Sequence, residues 1–166
     1  KKPGNDFEGQ AKFSYANHQT YYASAFVSVP IVEDRLYASL AGDFRESDGF
    51  YRNTFLGANN VDDFENFNIR GRVVWEPTDG TSLDTKVRYG EVDAAAISFN
   101  AVFQLPDLAA AFGAPTLFED PNDHNFVFQP NIDPDNNQES FEISTKLDHE
   151  TPIGTLTAWA LYSDIK

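Results

Sequence analysis

The sequence predicts an all-β fold: an antiparallel up-and-down meander of about seven long strands, part of the wall of a transmembrane β-barrel. Three observations predict it. Apolar residues recur at every second position through stretches of 9 to 11 residues. A tilted strand needs about 9–11 residues to cross a bilayer, whereas an ordinary globular strand has about 5–6. After the first hairpin, short and long connections alternate, the plan of a barrel with tight turns on one side and long loops on the other. Finally, an aromatic residue stands at the long-connection end of the apolar face of every stretch.

The elements follow in order. Residues 7–17 carry Phe7, Gly9, Ala11, Phe13 and Tyr15 on one face against Glu8, Gln10, Lys12 and Ser14. Residues 20–29 set Tyr21, Ala23, Ala25, Val27 and Val29 against Tyr22, Ser24, Phe26 and Ser28, with weaker sidedness. Residues 35–45 set Leu36, Ala38, Leu40, Gly42 and Phe44 against Tyr37, Ser39, Asp43 and Arg45. Residues 66–76 set Phe67, Ile69, Gly71, Val73 and Trp75 against Asn68, Arg70, Arg72 and Glu76. Residues 82–90 set Leu83, Thr85, Val87 and Tyr89 against Asp84, Lys86 and Arg88. Residues 140–148 set Phe141, Ile143, Thr145 and Leu147 against Glu142, Ser144, Lys146 and Asp148. Residues 155–163 set Leu156, Ala158, Ala160 and Tyr162 on one side, while Trp159 and Leu161 blur the other.

Pro30–Asp34, Pro77–Thr81 and His149–Gly154 are the short turns, rich in Pro, Asp and Gly. Residues 46–65 and 91–139 are the long loops, expected on the extracellular side. Within the second, Pro106-Asp107, then Leu108–Phe112 and Gly113, predict a brief helix with its stop. The aromatic ends are Tyr15, Tyr21, Phe44, Phe67, Tyr89, Phe141 and Tyr162. Such a girdle suits a membrane boundary, where a ring is apolar while its edge or hydroxyl tolerates headgroups.

Composition narrows the function. The 166 residues include 26 acids and 12 bases, a net charge of −14. That balance argues against nucleic acid, whose phosphates demand Lys and Arg. Without Cys there are no disulfides, thiolate metal centres or thiol nucleophiles. The chain has no Met and opens Lys1-Lys2-Pro3-Gly4, so a piece of a longer protein or a processed product is expected. The charge is unevenly placed. Residues 46–65 hold five acids and one base, and residues 91–137 hold eight acids and no base, together −12 of the −14. The strand faces carry seven of the twelve bases, interleaved with acids, and are close to neutral.

Two segments resemble a known family. Lys1-Lys2-Pro3-Gly4-Asn5-Asp6-Phe7-Glu8-Gly9 is similar to the exit from the plug into the first barrel strand of TonB-dependent outer-membrane receptors. Pro30-Ile31-Val32-Glu33-Asp34-Arg35-Leu36, leading to Asp43-Phe44-Arg45-Glu46-Ser47-Asp48-Gly49-Phe50-Tyr51-Arg52-Asn53, resembles their second-to-third strand turn and the loop beyond. The resemblance implies a 22-stranded barrel in the bacterial outer membrane, filled by an N-terminal plug. Such a protein imports a scarce nutrient, most often a ferric siderophore or similar iron chelate, with TonB-coupled energy. It makes residues 1–6 the end of the plug linker and 7–166 a partial barrel. The implied partners are outer-membrane lipid, the plug and remaining strands, TonB and a small nutrient ligand.

The candidate ligand residues are Arg70, Arg72, Lys86 and Arg88 on neighbouring strands, facing either an anionic ligand or the plug, with Phe50, Tyr51, Phe126 and Phe128 in the loops. Asp120, Asp123, Asp133 and Asp135 are candidate calcium ligands, with Asp62, Asp63 and Glu65 second, since Ca²⁺ takes clustered carboxylate oxygens. No EF-hand spacing is present. His18, His124 and His149 are isolated in sequence. No nucleophile elbow, P-loop or dinucleotide fingerprint occurs, so no catalytic residue is expected. A second reading is a soluble or cell-surface β-sandwich module that binds glycan or another ligand through acidic, calcium-holding loops.

Overall fold

The structure, a computed structural model, describes residues 2–57, 61–95, 110–113 and 135–166. Seven strands form one sheet in chain order: β1 (Glu8–Ala16), β2 (Thr20–Val32), β3 (Leu36–Ser47), β4 (Phe64–Thr78), β5 (Thr81–Ala94), β6 (Asn136–Thr151) and β7 (Gly154–Ile165). All neighbours are antiparallel. The edges of β1 and β7 are open. Among the described residues there is no second sheet, so the β-sandwich reading lacks the layer it needs.

Register preserves the alternation across the whole sheet. A slip of one residue anywhere would exchange the faces of every later strand. None occurs in the body of the sheet: Leu40 opposes Val27 and Gly71, Val87 opposes Gly71 and Ile143, and Leu147 opposes Leu83 and Ala158. The opposite face carries the rows Ser39–Arg72–Lys86–Ser144 and Ala41–Arg70–Arg88–Glu142. The two register shifts, between Pro30 and Val32 and between Trp75 and Thr78, lie at the short-turn end. Each contains or adjoins a proline, which has no N–H to give to a ladder and is tolerated at a bulge.

Six of the seven strands run further than their alternation, and the long loops are correspondingly shorter, at residues 48–63 and 95–135. The apolar alternation stops before the ladder does. Backbone pairing needs no apolar side chain and continues. One consequence corrects the charge map. Glu46, Glu65, Glu91, Asp93 and Glu139 belong to strands and share the apolar face, just beyond the aromatic row. The predicted helix is helical at 110–112 and stops at Gly113 (φ 58°), while its first part lies outside the described residues.

The apolar face is exposed along its length: Leu40, Val73, Trp75, Val87, Ile143 and Leu156 are all open. Soluble monomers rarely expose continuous apolar area of this kind, which marks a surface that meets a partner or a membrane. Burial instead gathers at the two ends. At the short-turn end, Ser28, Tyr37 and Val74 are buried on the polar face. Residues 2–6 run over that face: Lys2 Nζ reaches Glu76 Oε1 (3.1 Å), Asn5 Nδ2 donates to Asp34 Oδ1 (2.6 Å), and the Asp34 N–H donates back to Asn5 Oδ1 (3.0 Å). Pro3, within this strap, is buried. At the long-loop end, Ser47, Asn53, Val61 and Ala95 are buried.

Candidate functional site

The polar face supplies the first candidate region. Period two places Arg70 and Arg72 of β4 beside Arg88 and Lys86 of β5, with Arg70 directly opposite Arg88 and Arg72 directly opposite Lys86. Like charges directly opposed on a sheet are destabilising unless answered. Carboxylates on the diagonals answer two of the four. Arg72 Nε and Nη2 grip Asp84 Oδ1 and Oδ2 at 2.9 and 2.6 Å, a bidentate pair. Arg70 Nη2 donates to Asp43 Oδ1 at 2.9 Å, and Asn68 Nδ2 holds the other oxygen of Asp43 at 3.0 Å. Lys86 lies 3.9 Å from the already engaged Asp84. Arg88 makes no ion pair among the described residues, although Glu142 is its register partner.

The four cations predicted together are therefore unequal. Arg72 is a wall brace. Arg88 and Lys86 are exposed, with donors to spare, and Arg70 is half committed. Removing the brace should be costly. Arg72→Ala is expected to destabilise the full-length protein by about 1–3 kcal/mol, below the cost at a fully buried pair because both side chains retain some exposure. Urea unfolding in detergent checks this. Arg72→Ala with Asp84→Ala should recover part of the loss, and no recovery would mean the pair is not the cause.

The second region is the loop-side rim. Asp48-Gly49 turns the chain out of β3, and Gly49 sits at φ 76°. Asp62 closes the loop: its Oδ1 accepts the N–H of Phe50 at 2.9 Å and of Tyr51 at 2.8 Å. The buried Asn53 accepts from the N–H of Phe55 and of Leu56, both at 3.1 Å. The loop leans on the β1–β2 turn, where His18 and Gln19 are both left-handed (φ 58° and 49°). The Phe50 ring lies 4.2 Å from the His18 ring, Gln19 Nε2 donates to Asp48 Oδ2, and the Asp48 N–H donates to His18 O at 3.1 Å.

Phe50 and Tyr51 thus stand on an anchored rim, not beside the cations. Arg70 opposes Ala41, six residues along β3 from Ser47, roughly 20 Å at strand rise. Phe126, Phe128, Asp120, Asp123 and Asp133 lie outside the described residues; Asp135 is described and exposed. Of the second calcium set, Asp62 spends its carboxylate on backbone N–H groups and Glu65 points from a strand. Among the described residues no group of three or more acids or histidines is placed to hold a metal. The anchoring roles of Asp62 and Asn53 went unread in the sequence. Their signal is the tendency of Asp and Asn side chains to accept nearby backbone N–H groups.

No family model and no curated protein matches this sequence. Among solved structures, a chain of the FpvAI–pyocin S2 complex is similar in fold, with a TM-score of 0.73 at 14% identity, over 98% of this chain and 19% of that one. This chain spans about a fifth of the length of the chain it matches.

Proposed function

We propose that this chain is a section of the wall of an outer-membrane active-transport receptor, which captures a scarce nutrient and imports it with TonB-coupled energy. The observation that carries the proposal is the unbroken seven-strand register. It gathers every apolar row on one exposed face, with the aromatic row at its loop-side end and the ionic rows on the other face. Lipid accepts such a face, and closure by further strands removes the two open edges. The strap supports the same reading, because residues 2–6 lie on the polar face, where a lumen-filling plug would stand. The motif resemblance supplies the energy coupling and the class of cargo.

The most suitable cargo is an anionic iron chelate. Arg88 and Lys86, with the remaining donors of Arg70, form its contact on the wall, and the rim with Phe50 and Tyr51 lies on its way in. The test uses the full-length protein. It should leave membranes only with detergent, and a deletion strain should lose growth on one ferric chelate as sole iron source. Deleting TonB should cause the same loss. Release without detergent, or growth unaffected on every chelate, refutes the proposal.

A further inference from the structure

The strap fastens the chain ahead of its first strand. β1 is paired on one side only and is exposed over nearly its whole length. A strand held by one ladder opens rung by rung from its end, beginning here at Glu8 and Ser28. Residues 2–6 place three fastenings before that rung. Lys2 reaches Glu76 of β4, Pro3 is buried, and Asn5 exchanges two hydrogen bonds with Asp34 in the β2–β3 turn. Load on the chain ahead of Lys2 therefore falls on β4 and that turn, not on the first rung. The turn supplies both halves of the Asn5 contact. Asp34 is left-handed at φ 58°, where glycine is the ordinary choice and Asp is tolerated. Its N–H and its carboxylate both serve Asn5, so a glycine there would keep the turn and lose half of the fastening. The two anchor points are themselves tied together. The Glu76 N–H donates to Arg35 O at 2.7 Å, Arg35 Nη1 donates to Glu76 O at 3.4 Å, and the same guanidinium nitrogen pairs with Asp79 at 3.1 Å.

We infer that residues 2–6 are a latch: the chain ahead of Lys2 can leave the polar face while β1 stays in its ladder, and the strap is where that movement stops. This rests on the membrane-wall reading above, in which a plug precedes the strap and shifts to open the lumen. Movement that ran on into β1 would loosen the wall itself, because the ladder that keeps the sheet continuous begins a few residues later. The Asn5–Asp34 bonds carry most of the hold, since one of them ends on a carboxylate. The Lys2–Glu76 pair is exposed and adds less.

The experiment follows amide exchange by mass spectrometry in the full-length protein in nanodiscs, at urea concentrations that open the chain ahead of Lys2. In wild type the opening should stop at the strap, so that the Asp34 amide and the laddered amides from Glu8 to Lys12 keep their protection. Asn5→Asp sets two carboxylates against each other. It should speed exchange at Asp34 about tenfold, the fold-change of one charge-assisted hydrogen bond, and let the opening spread into β1. Adding Asp34→Asn again sets one side-chain amide against one carboxylate, and should restore both the Asp34 protection and the stop. Lys2→Gln alone should change exchange only about twofold. Opening that reaches β1 together with the preceding chain in wild type overturns the latch. So does a stop that survives Asn5→Asp, or a loss that the double variant does not recover. Failure of the wall reading looks different: the protein would leave membranes without detergent.

Discussion

Leu40→Arg is expected to cost about 2–4 kcal/mol of folding stability in lipid, the penalty for a guanidinium near the bilayer midplane on the face that the proposed wall turns to lipid. Leu40 is the middle residue of the apolar row of β3, between Leu36 and Phe44, and its side chain is half exposed with Val27 and Gly71 as register partners. In water an exposed Leu→Arg change is nearly neutral. The size of the loss therefore reports the medium on that face. The same charge at Gln10, on the polar face of β1, should cost less than about 1 kcal/mol. Urea titration of the full-length protein folded into vesicles checks both. Equal effects at the two sites would remove the basis for assigning lipid to the apolar face.

Gly49→Val should unfasten the rim loop. At φ 76° an L-residue costs about 1–2 kcal/mol, more when β-branched. A Cβ built there would also stand 2.8 Å from the backbone carbon of Asp62, which must then move. Asp62 would release the N–H groups of Phe50 and Tyr51, at about 0.5–1.5 kcal/mol for each bond lost, since water reaches the freed groups. The summed effect is large but local. Amide exchange at Phe50 and Tyr51 should accelerate at least a hundredfold, while the amides of β3 and β4 keep their protection. Fast exchange spreading into those strands would show that the loop is part of the sheet's cooperative unit. Unchanged exchange would show that Asp62 is not the anchor.

The faces of all seven strands were legible because side-chain orientation repeats every two residues, and Leu36 to Phe44 or Phe141 to Leu147 reveal their face without knowledge of a partner. Strand ends were less legible. Glu91, Asp93 and Glu139 continue their strands through backbone pairing alone, and a polar residue at such a position looks like loop. The bulges at Pro30 and Pro77 were announced by prolines, but their register was not. The cation group was legible as a group, not as a division of labour. Nothing in the order of residues tells that Asp84 takes Arg72 bidentately and that Asp43 takes Arg70, leaving Arg88 over.

By itself the sequence determined the fold class, the two faces and the aromatic row. Each follows from local periodicity or composition. Tertiary structure alone decided which partners meet. It brought Lys2 to Glu76, 74 residues apart, joined Gln19 to Asp48 across the first two hairpins, and set Tyr15 in a groove with Arg52. The physical reason is that a side chain's face is a property of its own strand. Its neighbour across the ladder depends on the register of the whole sheet and on where the connecting loops come to rest.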